Sequence, residues 1–127
     1  MYTPTTGKRI LIAEDEKPMA RALELKLTNA GFEVKVCGNG QECLDLLGKE
    51  KFDLILLDLV MPVKDGFAVL AELKEKGNKI KVVVLTNLSQ VDDYKRVKEL
   101  GALDLFVKSD TPIVEIVNKV KQILGCG

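Results

Sequence analysis

Five times along the chain a short apolar run gives way to a stretch whose apolar residues recur every three or four positions. Nothing else restricts the fold as tightly. "RILIA" (Arg9–Ala13), "LILL" (Leu54–Leu57), "KVVVL" (Lys81–Leu85) and "LFV" (Leu105–Val107) are of strand length. They read as continuously apolar, as strands covered on both faces do. "EVKVC" (Glu33–Cys37) alternates at period two, the pattern of a half-buried edge strand. Between these runs, Met19, Leu23, Leu27 and Ala30 stand at helical spacing, with Pro18 tolerated in the first turn and Gly31 as the stop. Cys43, Leu44 and Leu47 mark a second helix after a "GNG" turn, and Phe67, Leu70 and Leu73 a third that Asp65 can cap. Ser89 with Asp92 resembles a capping box for a helix over Gln90–Leu100. Thr111-Pro112 opens a last helix striped with Ile113, Ile116, Val117, Val120 and Leu124. Strand and helix in strict alternation predict an α/β domain, doubly wound, with a parallel five-stranded sheet between helical layers.

The pattern runs from Lys8 to Leu124 of 127 residues. One domain over residues 8–124 is therefore expected, with residues 1–7 as a disordered lead and 125–127 as a tail. The apolar fraction of 46% supports a real core. Nineteen basic and nineteen acidic side chains cancel, so direct nucleic-acid contact, which favours a basic excess, is not expected. No run reaches the ~20 apolar residues of a membrane span, and "MYTPTTGK" carries no apolar signal segment, so a cytoplasmic location is expected. Cys37, Cys43 and Cys126 lack metal-ligand spacing and read as two core residues and one tail residue. The chain has no histidine, which excludes His-based acid–base chemistry and a phosphohistidine-donor role.

Polar residues fall where a site would be. Glu14-Asp15 follows the first strand, Asp58 the third, Thr86 the fourth and Lys108 the fifth; only the alternating strand ends without such a group, in Gly38. In open parallel α/β sheets, ligands bind outside the carboxyl ends of the strands. Three carboxylates brought together there repel one another unless a proton or a cation intervenes. Hard oxygen ligands suit Mg²⁺, which bridges readily to phosphoryl oxygens. A metal, an ammonium and a hydroxyl around an aspartate are the parts needed to place a phosphoryl group on that aspartate. The competing structural roles are ordinary ones: Asp58 capping a turn, Asp15 capping the helix at Pro18, Thr86 as a strand residue, Lys108 as a solvated charge. A flavin or nucleotide site is disfavoured, because "AEDEKP" is acidic where a phosphate loop would stand. An aspartyl phosphatase would want a second acid on the Asp58 loop, where Leu59-Val60 stand.

Glu14-Asp15, Asp58 within "DLVMPVKDG", Thr86 and Lys108, in this order and at these strand ends, resemble a response-regulator receiver domain, the CheY-like relatives of the flavodoxin fold. The resemblance implies a (βα)5 flavodoxin-like three-layer sandwich with strand order 2-1-3-4-5. It implies that Asp58 accepts a phosphoryl group from a sensor histidine kinase or phosphotransfer protein. Asp15 and Asp58 would ligate Mg²⁺ with the Val60 carbonyl, and Glu14 largely through water. Lys108 would pair with the acceptor or its phosphoryl oxygen, and Thr86 would turn inward to the phosphoryl group. The implied protein is a signalling switch rather than an enzyme acting on an outside substrate. It would dock a downstream output protein or domain, or a second copy in a phosphorylation-dependent homodimer, through the face of the Gln90–Leu100 helix with its Val91, Tyr94 and Val97 stripe.

The chain also departs from that family's usual pattern. Ser109 follows Lys108 where proline is usual, Leu105 stands where an aromatic is frequent, Asn87 replaces a small residue and Lys64 an apolar one. Val60 and Leu88 are apolar where side chains orient attacking water, which predicts slow self-dephosphorylation. The departures at Leu105 and Ser109 keep a rival reading open: an interaction module on the same fold that works without phosphorylation.

Overall fold

The computed structural model describes residues 5–88 and 90–126. Five strands, β1 (Arg9–Ala13), β2 (Glu33–Cys37), β3 (Leu54–Leu57), β4 (Lys81–Thr86) and β5 (Asp104–Val107), form one sheet in the order β2-β1-β3-β4-β5. All four pairings are parallel. Five α-helices connect and follow them: α1 (Lys17–Asn29), α2 (Gly40–Lys49), α3 (Gly66–Glu75), α4 (Val91–Glu99) and α5 (Ile113–Leu124). The flavodoxin-like fold and its strand order are as the sequence implied. No helix among the described residues is long and apolar enough to cross a membrane.

The period-two geometry of strands sorts the core into two halves. Ile10, Ile12, Leu54, Leu56, Val83 and Leu85 face one side, where Leu23 and Leu27 of α1 and Ile116, Val117 and Val120 of α5 cover them. Leu11, Ala13, Ile55, Leu57, Val82 and Val84 face the other, against Cys43 of α2, Val69, Leu70 and Leu73 of α3 and Val97 of α4. Each fully buried Leu or Ile contributes about 1.5–3 kcal/mol of transfer free energy. Register keeps each half apolar: Ile12 lies opposite both Val36 and Leu56, and Leu56 opposite Val83. Cys37 and Cys43 are buried members of the second half, as read, and Cys126 is partly exposed.

Several local readings change. Gln90 and Leu100 are the caps of α4 rather than its ends; Gln90 makes no side-chain capping bond, and Ser89 lies outside the described residues. Thr86 is the last residue of β4 rather than the one after it. Asn39 within "GNG" is a true helix cap, its side chain accepting from the Glu42 N–H at 2.9 Å. Asp65 caps α3 as expected, accepting from Ala68 at 2.9 Å. Asp15 does not cap α1, since the N-cap is Glu16, whose side chain makes no capping bond. Of the expected lead, residues 1–4 lie outside the described residues, while Thr6 donates its backbone N–H and its hydroxyl to the Gly31 carbonyl. Val97 is buried, so the α4 stripe splits: only Val91 and Tyr94 face outward.

Candidate functional site

The strand register determines which side chains meet. Ala13 of β1 lies opposite Leu57 of β3, so Glu14 and Asp58 leave the sheet side by side. Their backbone amides prolong the ladder by one step, Glu14 donating to Cys37 and Asp58 to Ala13. Thr86 lies opposite Val107, and Lys108 follows at once as the start of a 3₁₀ turn, Lys108–Asp110. The β3–α3 loop is held close by Gly66, where an added Cβ would come within 2.3 Å of the Asp58 carbonyl oxygen. Val63 in the same loop has φ of 67°, a left-handed conformation unusual for a β-branched residue.

Glu14, Asp58, Thr86 and Lys108 are the buried polar or charged residues among those described, and all four sit at the carboxyl edge of the sheet. Burying charge costs free energy unless it is paired. Here the Lys108 ammonium touches Asp58 Oδ2 at 2.8 Å, Glu14 Oε1 at 2.5 Å and Glu16 Oε1 at 2.9 Å. The other Asp58 oxygen accepts the Val60 backbone N–H at 3.2 Å. Thr86 Oγ1 accepts from the Leu88 N–H at 3.4 Å, and Thr86 is buried.

Titration follows from these contacts. Burial works against the Lys108 charge, but hydrogen bonds to Asp58, Glu14 and Glu16 outweigh it and raise the ammonium above the usual lysine range. Burial is the largest influence on Glu14 and pushes its carboxyl up; Asp58 adds to that push, while Lys108 and the Glu16 N–H oppose it. The edge thus carries a permanent cation with three carboxyls around it.

The carboxylates that gather differ from those expected. Oxygens of Glu14, Glu16 and Asp58 lie within 4.8 Å of one another, a spacing that one cation could span. Asp15 is exposed and stands outside this group. The cause is local: the chain bends at Asp15 between β1 and α1, and the Glu16 N–H donates to Glu14 Oε2 at 3.1 Å, which folds the third acid back onto the first. Glu14 and Glu16 therefore converge, while the residue between them departs. The run "EDE" held this signal, and sequence reasoning passed over its third member. It also missed a contact between two departures: the Ser109 N–H, which a proline would lack, donates to Asn87 Oδ1 at 3.2 Å.

Comparison with known proteins agrees with this geometry. The family model "Response regulator receiver domain" matches residues 10–121. The transcriptional regulatory protein PcoR of Escherichia coli is 35% identical over 117 residues, covering 92% of this chain and 51% of PcoR. The chain thus spans about half the length of the curated relatives it matches. Among solved structures, the receiver domain of the Francisella response regulator 1452 superposes with a TM-score of 0.89 at 25% identity, covering 94% of this chain and 98% of that one. The Mn²⁺-bound form of the response regulator Rcp1 superposes at 0.80 with 29% identity, covering 92% and 94%. A family match over most of the chain, the parallel 2-1-3-4-5 sheet and the acids and lysine at its carboxyl edge lead to one conclusion: the chain belongs to the response regulator receiver domains of two-component systems.

Proposed function

We propose that Asp58 is the phosphoryl acceptor of this receiver, loaded from a partner phosphohistidine in a Mg²⁺-assisted reaction. One observation carries the reading: the buried polar and charged side chains among the described residues are Glu14, Asp58, Thr86 and Lys108, the set that such a transfer needs, and they meet at one edge. Lys108, already 2.8 Å from Asp58, would neutralise negative charge on the phosphoryl oxygens. Thr86 would exchange its Leu88 contact for a phosphoryl oxygen and so draw on the loop leading to α4. The donor set fits a hard divalent cation, since three carboxylate oxygens converge against a single ammonium. Mg²⁺ would be held by Asp58 with Glu14, the Val60 carbonyl and Asp15, the last requiring a turn of its exposed side chain; bound, it would supply positive charge to the transfer. The likeness to a receiver structure that holds Mn²⁺ supports a cation here.

The output is read from exposure. Val91 and Tyr94 of α4 are 82% and 45% exposed, beside a loop that Thr86 can pull. We read this face as the docking surface for an output protein or domain, or for a second copy, as phosphorylation shifts α4. The balanced charge supports a receiver that does not itself touch nucleic acid, and a cytoplasmic kinase partner would place it in the cytoplasm. Val60 is 58% exposed and apolar, and Leu88 is apolar, so neither can orient water and the phosphoryl group should persist.

Peptide mapping after incubation with acetyl phosphate and Mg²⁺ tests the acceptor. The reading expects one hydroxylamine-labile adduct on the peptide carrying Asp58. An adduct on a serine or threonine, or on another acid, overturns the assignment. A folded, Mg²⁺-replete protein that takes no adduct favours the phosphorylation-independent module.

A further inference from the structure

An ammonium group has three protons. In this protein Lys108 places them on three carboxylates, and those partners are unequal: the Asp58 and Glu14 side chains are 5% and 2% exposed, the Glu16 side chain 60%. Releasing Asp58 or Glu14 from Lys108 would leave a buried charge uncompensated. Releasing Glu16 costs little, because water replaces the lysine at an exposed carboxylate. Glu16 nevertheless has an oxygen within 4.8 Å of both buried acids, close enough to share a cation with them.

We infer that Glu16 is a further positioning residue of this site, a releasable carboxylate shared between Lys108 and the divalent cation. With no cation bound it occupies the third proton of Lys108. As the cation binds, Glu16 adds its charge to those of Glu14 and Asp58 and frees one Lys108 proton for an incoming phosphoryl oxygen. The inference rests on the proposed Mg²⁺-assisted transfer. It concerns a residue that the expected ligand set of Glu14, Asp15, Asp58 and Val60 did not contain.

Calorimetric titration with Mg²⁺ on the full chain tests it, comparing the native protein with Glu16→Gln and Glu24→Gln. Glu24 lines the cleft beside Glu14 and Asp15 but stands outside the carboxylate group, so Glu24→Gln makes the same change in net charge. Glu16→Ser is a second variant that supplies a better N-cap for α1 and guards against an unfolded sample. The expected result is Mg²⁺ affinity about tenfold weaker in both Glu16 variants. Glu24→Gln should change it by less than about twofold, because Glu24 lies outside the carboxylate group and is already paired with Arg21 at 4.0 Å. Unchanged affinity in the Glu16 variants overturns the inference while leaving the transfer reading intact, as does an equal loss in Glu24→Gln. A native protein that binds no Mg²⁺ removes both.

Discussion

A buried ammonium among carboxylates is stabilising only while its partners stay in place. Among the described residues Lys108 is the one cation paired with Asp58 and Glu14, so Lys108→Ala should destabilise the metal-free protein by about 3 kcal/mol. Mg²⁺ should then raise the melting temperature of Lys108→Ala more than that of the native chain, because an added cation restores the missing charge; an equal rise in both would contradict the electrostatic account. At this scale the sequence was most legible where one residue type has one use. Asp58 and Lys108 each follow an apolar strand directly, and it was their joint placement with Glu14 and Thr86 at the strand ends that set them apart from a turn cap and a solvated charge. Glu16 could not be picked out, because three consecutive acids look equivalent until the bend at Asp15 brings Glu14 and Glu16 together and leaves Asp15 exposed.

At the scale of elements, backbone contacts fix the loop that follows Asp58. Gly66 donates its N–H to the Leu59 carbonyl at 3.0 Å and lies so close to the Asp58 carbonyl that no side chain fits. Gly66→Ala should therefore cost about 1–3 kcal/mol as an overpacking change. It should also lower the yield of phosphoryl adduct in protein that remains folded, since the clash falls on the Asp58 peptide. A variant that melts lower yet takes full adduct would separate the loop from the site. Gly40 is as confined, with a Cβ 2.2 Å from the Lys64 carbonyl oxygen, and ties the start of α2 to the same loop. The sequence showed these glycines as turn residues but not their closeness, which depends on segments brought together by the sheet. The Asn87–Ser109 contact was likewise invisible as a pair: each was seen as a separate departure, and only the alignment of β4 with β5 makes them neighbours.

At the scale of the whole molecule the two ends of the sheet have opposite tasks. The carboxyl end gathers the site; the amino end is tied by Arg9, which bonds Glu33, Glu50 and the Lys51 carbonyl and lies 4.6 Å over the Phe52 ring. Lys35 and Arg9 hold the Glu50 carboxyl below its usual range. A carboxyl with a depressed folded-state pKa stabilises above its unfolded pKa, about 4.3, and loses that contribution as pH falls through the folded value. Glu50→Gln should thus melt below the native protein at about pH 7 and match it near pH 3; a gap that persists in acid would assign the effect to packing. The fold itself was legible because alternation of strand and helix admits few topologies, and the register then brings four strand ends to one edge. The measurement closest to the central claim is intact mass after incubation with acetyl phosphate, for the native chain and Asp58→Asn, with Mg²⁺ and with a chelator. The account predicts one phosphoryl adduct, in the native chain only and with Mg²⁺ only. An adduct of equal yield in Asp58→Asn, or one indifferent to the chelator, would contradict it.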